Sequence, residues 1–152
     1  MAKMIDEKPS FKGEGKVWNK LSEYLPSDMV VYNQREINGR EYDFCVMAEN
    51  LGIVVIEVKG WLAEKIIVNG VDNIDVEGYE KPQTSPKKQA RAYRFAILNK
   101  ISEKYNVSPL VLDMVCYPFI SKAEYESSRL DIVSEEQYTI FKEDLEDCER
   151  LN

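Results

Sequence analysis

The strongest hydrophobic pattern in the chain is a β-branched run, GIVVIEVK, at residues 52–59. A short run of this composition predicts a central strand covered on both faces, because strands with one exposed face alternate apolar and polar residues. Residues 41–48 predict the preceding strand, and the intervening 49–51 are short enough to close a hairpin. We therefore predict an antiparallel pair in which Ala48 lies opposite Gly52.

The same kind of pattern predicts the rest of the core. Apolar residues at helical spacing predict a helix over residues 14–25, with Glu14 on its apolar stripe. Ser85 is a suitable N-cap for a long helix that ends near residue 105. The predicted fold is α/β, with an α-β-β-β-α-β core in which a mixed central sheet is flanked by helices. Its further strands and turns are predicted at residues 29–37, at the Asn38-Gly39 turn, in a small hairpin at 65–68 and 73–76, and at 110–117.

The last part of the chain predicts an acidic extension. At 152 residues the chain has the length of one domain. Ser134 and Gln137 match a capping box, and Tyr138, Phe141 and Leu145 follow at helical spacing, which predicts a final amphipathic helix. We expect residues 1–120 to form the core, and 121–152 to form an extension with a short strand and a helix, packed on the same domain.

Charged residues at the end of the 52–59 run indicate a metal site. Strand periodicity places Glu57 and Lys59 on one face, and the predicted register places Asp43 opposite Glu57. Two facing carboxylates in a partly dry sheet repel each other unless a divalent cation holds them together. A hairpin loop of two or four residues would send Asp43 to the other face, so this prediction depends on the register.

These residues carry a family resemblance. Asp43, thirteen intervening residues and then Glu57-Val-Lys59 resemble the D-(x)n-(D/E)xK core of the PD-(D/E)xK nuclease superfamily. Gly13-Glu14 lies upstream, and the QARAY sequence at residues 89–93 resembles the QxxxY motif of RecB-like members. The order of these motifs over about residues 10–120 is similar to the nuclease-related domain called NERD. Tyr42 stands where the superfamily's name has a proline.

The resemblance implies a restriction-endonuclease-like fold and a Mg²⁺-dependent (or Mn²⁺-dependent) nuclease acting on DNA rather than RNA. Asp43, Glu57 and Glu14 would be the metal ligands, together with the carbonyl of Val58. Lys59 would act on the attacking water and the phosphate. The family often precedes helicase or kinase modules, so we expect the chain to be the N-terminal module of a longer helicase-type DNA-processing protein.

The long helix carries two further groups of candidate residues. Gln89, the remaining catalytic candidate, shares a face with Tyr93. A basic stripe on the same helix, formed by Lys87, Arg91 and Arg94, could bind a phosphate backbone. Tyr93 could also bind the substrate. A solvated helix face is the alternative for the stripe.

Alternatives also apply at the predicted metal site. Glu57 and Lys59 could be an ordinary ion pair at a strand end. The role of Glu14 could be limited to stabilising the N-terminus of its own helix, where a carboxylate is favourable.

Composition narrows the chemistry. The chain has no histidine, which excludes histidine bases and His-ligated zinc. Its net charge of −7 is uneven, since residues 1–120 carry −1 and residues 121–152 carry −6. The three scattered cysteines fit a reducing cytosol, and the charged start is unlike a signal peptide, so a cytoplasmic location without membrane association is expected. Two other functions stay open, namely a catalytically silent module that binds nucleic acid or protein, and a small acidic adaptor.

Overall fold

The structure of this protein is a computed structural model that describes residues 1–37, 40–48, 52–105 and 109–146. The described residues form short strands and four α-helices, joined in places by single 3₁₀ turns. In chain order they are β1 (Lys3–Met4), α1 (Lys12–Tyr24), β2 (Met29–Asn33), β3 (Glu36–Ile37), β4 (Arg40–Glu41), β5 (Phe44–Ala48), β6 (Gly52–Val58), β7 (Ile66–Val68), β8 (Asn73–Val76), β9 (Gln83–Thr84), α2 (Pro86–Tyr105), β10 (Val111–Cys116), α3 (Lys122–Ser127), β11 (Thr139–Ile140) and α4 (Lys142–Glu146).

The central sheet has the strand order β1-β2-β5-β6-β10-β11. Strands β2, β5 and β6 form an antiparallel meander, whereas β10 lies parallel to β6 and β11 parallel to β10. The predicted α-β-β-β-α-β core with a mixed sheet is therefore confirmed. Strands β7, β8 and β9 form a separate small sheet, which contains the predicted hairpin.

The hairpin register is as predicted. Ala48 pairs with Gly52 and Phe44 with Ile56, while the connecting residues 49–51 lie outside the described residues, as does the predicted Asn38-Gly39 turn. Gly52 is required for two reasons. Its φ of +125° is unfavourable for other residues, and a Cβ there would lie 2.5 Å from the carbonyl oxygen of Leu110.

Helices α1 and α2 cover opposite faces of the sheet. On one face, Val17 and Leu21 of α1 pack in a cluster with Ile56. On the other face, Ile97 of α2 packs in a cluster with Val55. Both faces of β6 are thus buried, as its continuous apolar run predicts. Among the described helices, none has the length and hydropathy of a bilayer-crossing segment.

Two predicted strands are interrupted near the candidate site. The strand predicted at 29–37 divides at Gln34, which has a positive φ of 51°. The strand predicted at 41–48 divides at Tyr42 and Asp43. These breaks interrupt the regular strand pairing near the point where the acidic side chains gather, although the backbone N–H groups of Gln34 and Tyr42 still donate across the two segments.

The predicted C-terminal helix beginning at Ser134 is wrong. The Ser134 side chain is buried, its hydroxyl hydrogen-bonds with the Tyr117 hydroxyl at 2.8 Å, and it donates to the Leu130 carbonyl oxygen at 3.2 Å. Residues 139–140 form β11, so the helical spacing of Tyr138, Phe141 and Leu145 does not produce one helix. Sheet pairing and burial outweigh the local helix signal, leaving only the short α4.

Candidate active site

The C-terminal end of β6 carries a buried acidic side chain beside a lysine. The Glu57 side chain is only 6% exposed, and its Oε1 lies 3.2 Å from Nζ of Lys59. The Lys59 ammonium also lies over the Trp61 ring, 5.6 Å from its centroid. The second oxygen, Oε2, is buried without a hydrogen-bond partner among the described residues. The ion pair therefore satisfies half of the Glu57 carboxylate and leaves the other half available.

Asp43 lies opposite this pair, as the register predicts. It comes just before β5, and its Oδ2 accepts a hydrogen bond from the Val58 backbone N–H at 2.8 Å. The carboxylate of Asp43 thus replaces the backbone acceptor that a longer β5 would have supplied. Asp43 and Glu57 are close enough to interact through their side chains.

Glu14 joins the group from the first turn of α1. It interacts with Asp43, and its Oε2 accepts a hydrogen bond from Nε2 of Gln34 at 3.1 Å. The start of α1 reaches this position because Gly13 packs directly on Gly60. A Cβ on Gly13 would lie 3.0 Å from the Gly60 Cα, so even alanine would separate the helix from the end of β6.

Burial and crowding change the protonation of these acids, which we call the carboxylate cluster (Glu14, Asp43 and Glu57). Desolvation, followed by the charge of Asp43, raises the pKa of Glu57 to about 8, against the effect of Lys59. The same two causes raise the pKa of Glu14 to about 7. Burial also raises the pKa of Asp43, although the hydrogen bond from Val58 favours its ionised form. Without a divalent cation, the two glutamates therefore keep their protons to a higher pH than ordinary glutamate side chains do.

Gln34 is a residue of this site that the sequence analysis missed. Its side chain donates to Glu14, and its backbone N–H donates to the Asp43 carbonyl oxygen at 3.0 Å. Its left-handed backbone conformation is unfavourable for a residue that is neither Gly nor Asn. Nothing in the local sequence indicates this conformation, because contacts with distant residues impose it.

Two side chains of the carboxylate cluster fit a divalent cation. No group of three or more His, Cys, Asp or Glu side chains in the described part of the chain is arranged to hold a metal ion as it stands. Mg²⁺ commonly takes only one or two protein carboxylates and completes its shell with water. Asp43 and Glu57 fit that requirement, since they are hard oxygen donors, they face each other, and Glu57 Oε2 has no hydrogen-bond partner in the described part of the chain.

A cleft of about 570 Å³ adjoins Glu14 and Lys59. We call it the aromatic cleft, because rings line much of its wall, at Phe11, Trp61, Tyr79 and Phe119. A larger cavity of about 1150 Å³ lies against the C-terminal segment, but none of the carboxylate cluster lines it. The chemistry of the side chains, rather than cavity size, therefore identifies the candidate site.

The candidates on α2 lie in different surroundings. Lys87 forms an ion pair with Glu135, and Arg94 pairs with Asp113 at 3.3 Å. Arg91 is exposed. The roles of these three residues as phosphate ligands stay predictions.

The other two α2 candidates are less exposed. Gln89 has a buried Oε1 with no hydrogen-bond donor among the described residues. Tyr93 packs against the apolar cluster between α2 and the sheet. The catalytic role of Gln89 and the substrate contact of Tyr93 also stay predictions.

Comparison with protein families identifies the class. The chain belongs to the nuclease-related domain family (NERD), whose model matches residues 9–118. That range includes the whole carboxylate cluster and Lys59, helices α1 and α2, and the sheet strands β2, β5, β6 and β10. The family resemblance in the sequence is thereby confirmed.

Comparisons with individual proteins add little. None of the curated proteins matches this chain. Among solved structures, the chain is similar to one described as a repair endonuclease from Pyrococcus abyssi, with 14% identity and a TM-score of 0.42. The match covers 89% of this chain and 48% of the endonuclease, so the chain spans about half the length of that protein.

Proposed function

We propose that this domain is a Mg²⁺-dependent nuclease that hydrolyses phosphodiester bonds of DNA, with Mn²⁺ as an alternative cation. The observation that supports it best is the facing pair of a partly buried Asp43 and a buried Glu57 at the end of β6, with Lys59 beside Glu57. A structural ion pair would not need a second carboxylate beside it, since the added negative charge opposes folding.

The proposed mechanism assigns separate roles to these residues. Bound Mg²⁺ would supply a more acidic water and a Lewis acid for the phosphate. Asp43 and Glu57 would hold it, assisted by the Val58 carbonyl and by Glu14. The hydrogen bond from Val58 N–H fixes one Asp43 oxygen and thereby orients the other.

Lys59 would act on the phosphate side of the reaction. Its ammonium is held between the Glu57 carboxylate and the Trp61 ring, which limits its motion. From there it would orient or deprotonate the attacking water and offset the charge that develops on the phosphate. Gln89 would orient a water or a phosphate oxygen from α2.

The wider context is also a proposal. We propose that residues 1–120 form the nuclease core and that 121–152 form an acidic extension of the same domain. We further propose a cytoplasmic location and a place as the N-terminal module of a longer helicase-type protein. The buried free thiols of Cys45 and Cys116 support a location in a reducing compartment such as the cytoplasm.

The test is incubation of the purified protein with single-stranded, duplex and flapped DNA, with Mg²⁺, with Mn²⁺ and with a chelator. We expect cleavage that needs the cation and falls by roughly 10²-fold or more in Asp43→Asn. The matched control is Asp28→Asn, which changes an exposed aspartate outside the site. Cleavage that survives the chelator, or an equal loss in both variants, would refute the proposal.

A catalytically silent binding module on the same fold is the second candidate. It would bind nucleic acid or protein through the basic stripe of α2, in which Arg91 is exposed. Calorimetric titration with Mg²⁺ and Mn²⁺ separates the two. Specific cation binding that is lost in Asp43→Asn supports the enzyme, whereas nucleic-acid binding without cation binding supports the silent module.

A further inference from the structure

The wall of the aromatic cleft combines groups that are costly to expose with groups that carry positive charge. Phe11 is 69% exposed and Tyr79 is 56% exposed, although both rings line the same cleft as Glu14 and Lys59. Single exposed apolar side chains are common on protein surfaces, but rings gathered beside reactive groups indicate a ligand. The rings come from separate parts of the chain, since Phe11 precedes α1 and Tyr79 follows β8.

Two lysines add positive charge beside the third ring. The ammonium groups of Lys12 and Lys16 lie 5.8 and 5.3 Å from the centroid of the Phe119 ring. The Lys16 ammonium also donates to the Pro118 carbonyl oxygen at 2.9 Å. Within the described ranges, neither ammonium lies within ion-pair distance of a carboxylate. Their charge is therefore available to an anionic ligand, unlike the charges of Lys87 and Arg94.

We propose that the aromatic cleft binds single-stranded nucleic acid, with unpaired bases stacked on Phe11 and Tyr79 and with phosphates contacted by Lys12 and Lys16. This inference rests on the proposed nuclease function and names the form of its substrate. Duplex bases already stack on their neighbours, so a duplex offers these rings only groove edges and backbone. An unpaired base offers both of its faces, and stacking of this kind tolerates any base.

The position of the cleft relative to the carboxylate cluster supports this assignment. Glu14 lines the cleft and interacts with Asp43, and Lys59 lines the cleft and pairs with Glu57. A strand bound along the rings would pass its backbone beside the reactive groups. The domain would therefore cut at unpaired segments, such as overhangs, flaps or gaps, rather than within continuous duplex.

The experiment measures binding separately from cleavage. All proteins carry Asp43→Asn, and fluorescence anisotropy in chelator compares a labelled single-stranded oligonucleotide with its blunt duplex. We expect the single strand to bind more tightly, and the double variant Phe11→Ala/Tyr79→Ala to weaken that binding by about tenfold or more. Tyr79→Phe keeps the ring and should keep the affinity. Lys12→Gln should lower the salt dependence by about one counterion.

The control is Tyr138→Ala, which removes an exposed ring from the C-terminal segment and should leave binding unchanged. Duplex binding as tight as single-strand binding, no binding of either form, or unchanged affinity in the double variant would overturn the proposal. If single-strand binding depends on the rings but the parent protein, with Asp43 intact, cleaves no DNA with either cation, this inference stands and the nuclease function is refuted. If the parent protein cleaves DNA with a cation but the Phe11→Ala/Tyr79→Ala variant binds single strands as tightly, the nuclease function stands and this inference is refuted.

Discussion

The end of β6 and the exposed face of α2 both carry clustered charge, but the fold treats the two regions differently. In the carboxylate cluster, three acids converge on one cation, Lys59. Glu57 is almost completely buried, and one of its oxygens has no partner among the described residues. Burial and crowding raise the pKa values of Glu14 and Glu57, so the three carboxylates are costly to ionise together without a further cation.

The α2 stripe shows the opposite arrangement. Lys87 faces Glu135, and Arg94 faces Asp113, so two of its three cations already have an acidic partner. Both cations are also partly exposed, so their pairs add little to stability. The comparison teaches that a run of charge in a sequence is a stronger reason to propose a functional site when the fold leaves that charge without partners.

The largest expected effects come from removing members of the unbalanced region. Glu57→Gln should abolish cleavage and weaken cation affinity, because it removes a ligand. Lys59→Ala should keep cation binding and raise the barrier to cleavage by about 2–4 kcal/mol, as for loss of a positioned electrostatic group. Calorimetric titration and single-turnover cleavage measure the two quantities separately.

Lys65→Ala is the control for this pair of variants, because Lys65 is an exposed lysine beyond the site. If Lys59→Ala cleaves at the parent rate, or Glu57→Gln binds the cation as tightly as the parent, the assigned roles are wrong.

The next effect concerns stability without a cation. Because the pKa of Glu57 is raised to about 8 in the folded protein, folding favours its protonated form. That contribution is complete below the ordinary pKa of a glutamate and is lost as the pH rises through about 8. Glu57→Gln should therefore raise the free energy of unfolding in chelator by roughly 1–3 kcal/mol above pH 8.

The same substitution should have little effect at pH 4, where the parent is already protonated. Thermal melts in chelator across this pH range test the difference. An equal change in stability for Glu57→Gln at both ends of the pH range would show that the folded protein does not raise the pKa of Glu57.

A smaller effect is expected from Gln34, which supports the carboxylate cluster from a strained backbone. Gln34→Gly should relieve a strain of about 1 kcal/mol while it removes the hydrogen bond to Glu14. We expect unchanged or higher stability together with slower cleavage. Gln34→Ala loses the same hydrogen bond but keeps the backbone strain, so it should also have a lower free energy of unfolding than Gln34→Gly. Equal free energies of unfolding of the two variants in denaturant titration would show that the backbone of Gln34 is not strained.

The smallest effect is expected from the balanced region. Changing Lys87, Arg91 and Arg94 together to Ser should weaken nucleic-acid binding and flatten its salt dependence. Because the other two cations have acidic partners, Arg91→Ser alone should account for most of that loss. Affinity and salt slope that stay at the parent values in the triple variant would assign the stripe to solvation.

The predictability of this fold differs between the sheet and its surroundings. The pairing of Ala48 with Gly52 follows from two adjacent apolar runs, because strand period and loop length leave few registers. That register is enough to bring Asp43 opposite Glu57. The Gln34 conformation and the packing of Gly13 on Gly60 have no such local signal, because each depends on contacts between distant parts of the chain.

The C-terminal segment shows the limit of local signals most clearly. Ser134 and Gln137 have the spacing of a capping box, yet Ser134 serves a buried hydrogen-bond network with Tyr117. Ser121 and Glu124, which form a capping box in the structure, were not predicted. The two motifs have the same spacing, so only burial against the rest of the molecule distinguishes them.

The pairing of β11 with β10 has a consequence for shortened forms of this protein. The family match ends at residue 118, whereas Thr139 and Ile140 complete the sheet by pairing with Val115 and Cys116. A protein cut at the family boundary would leave the end of β10 at Val115 and Cys116 without its strand partner and would remove Phe141, which packs in the same cluster as Val115. An exposed strand edge can pair with a strand of another protein molecule, which leads to aggregation. Aggregation of such a truncated protein would therefore result from the missing strand and would say nothing about whether residues 9–118 fold correctly.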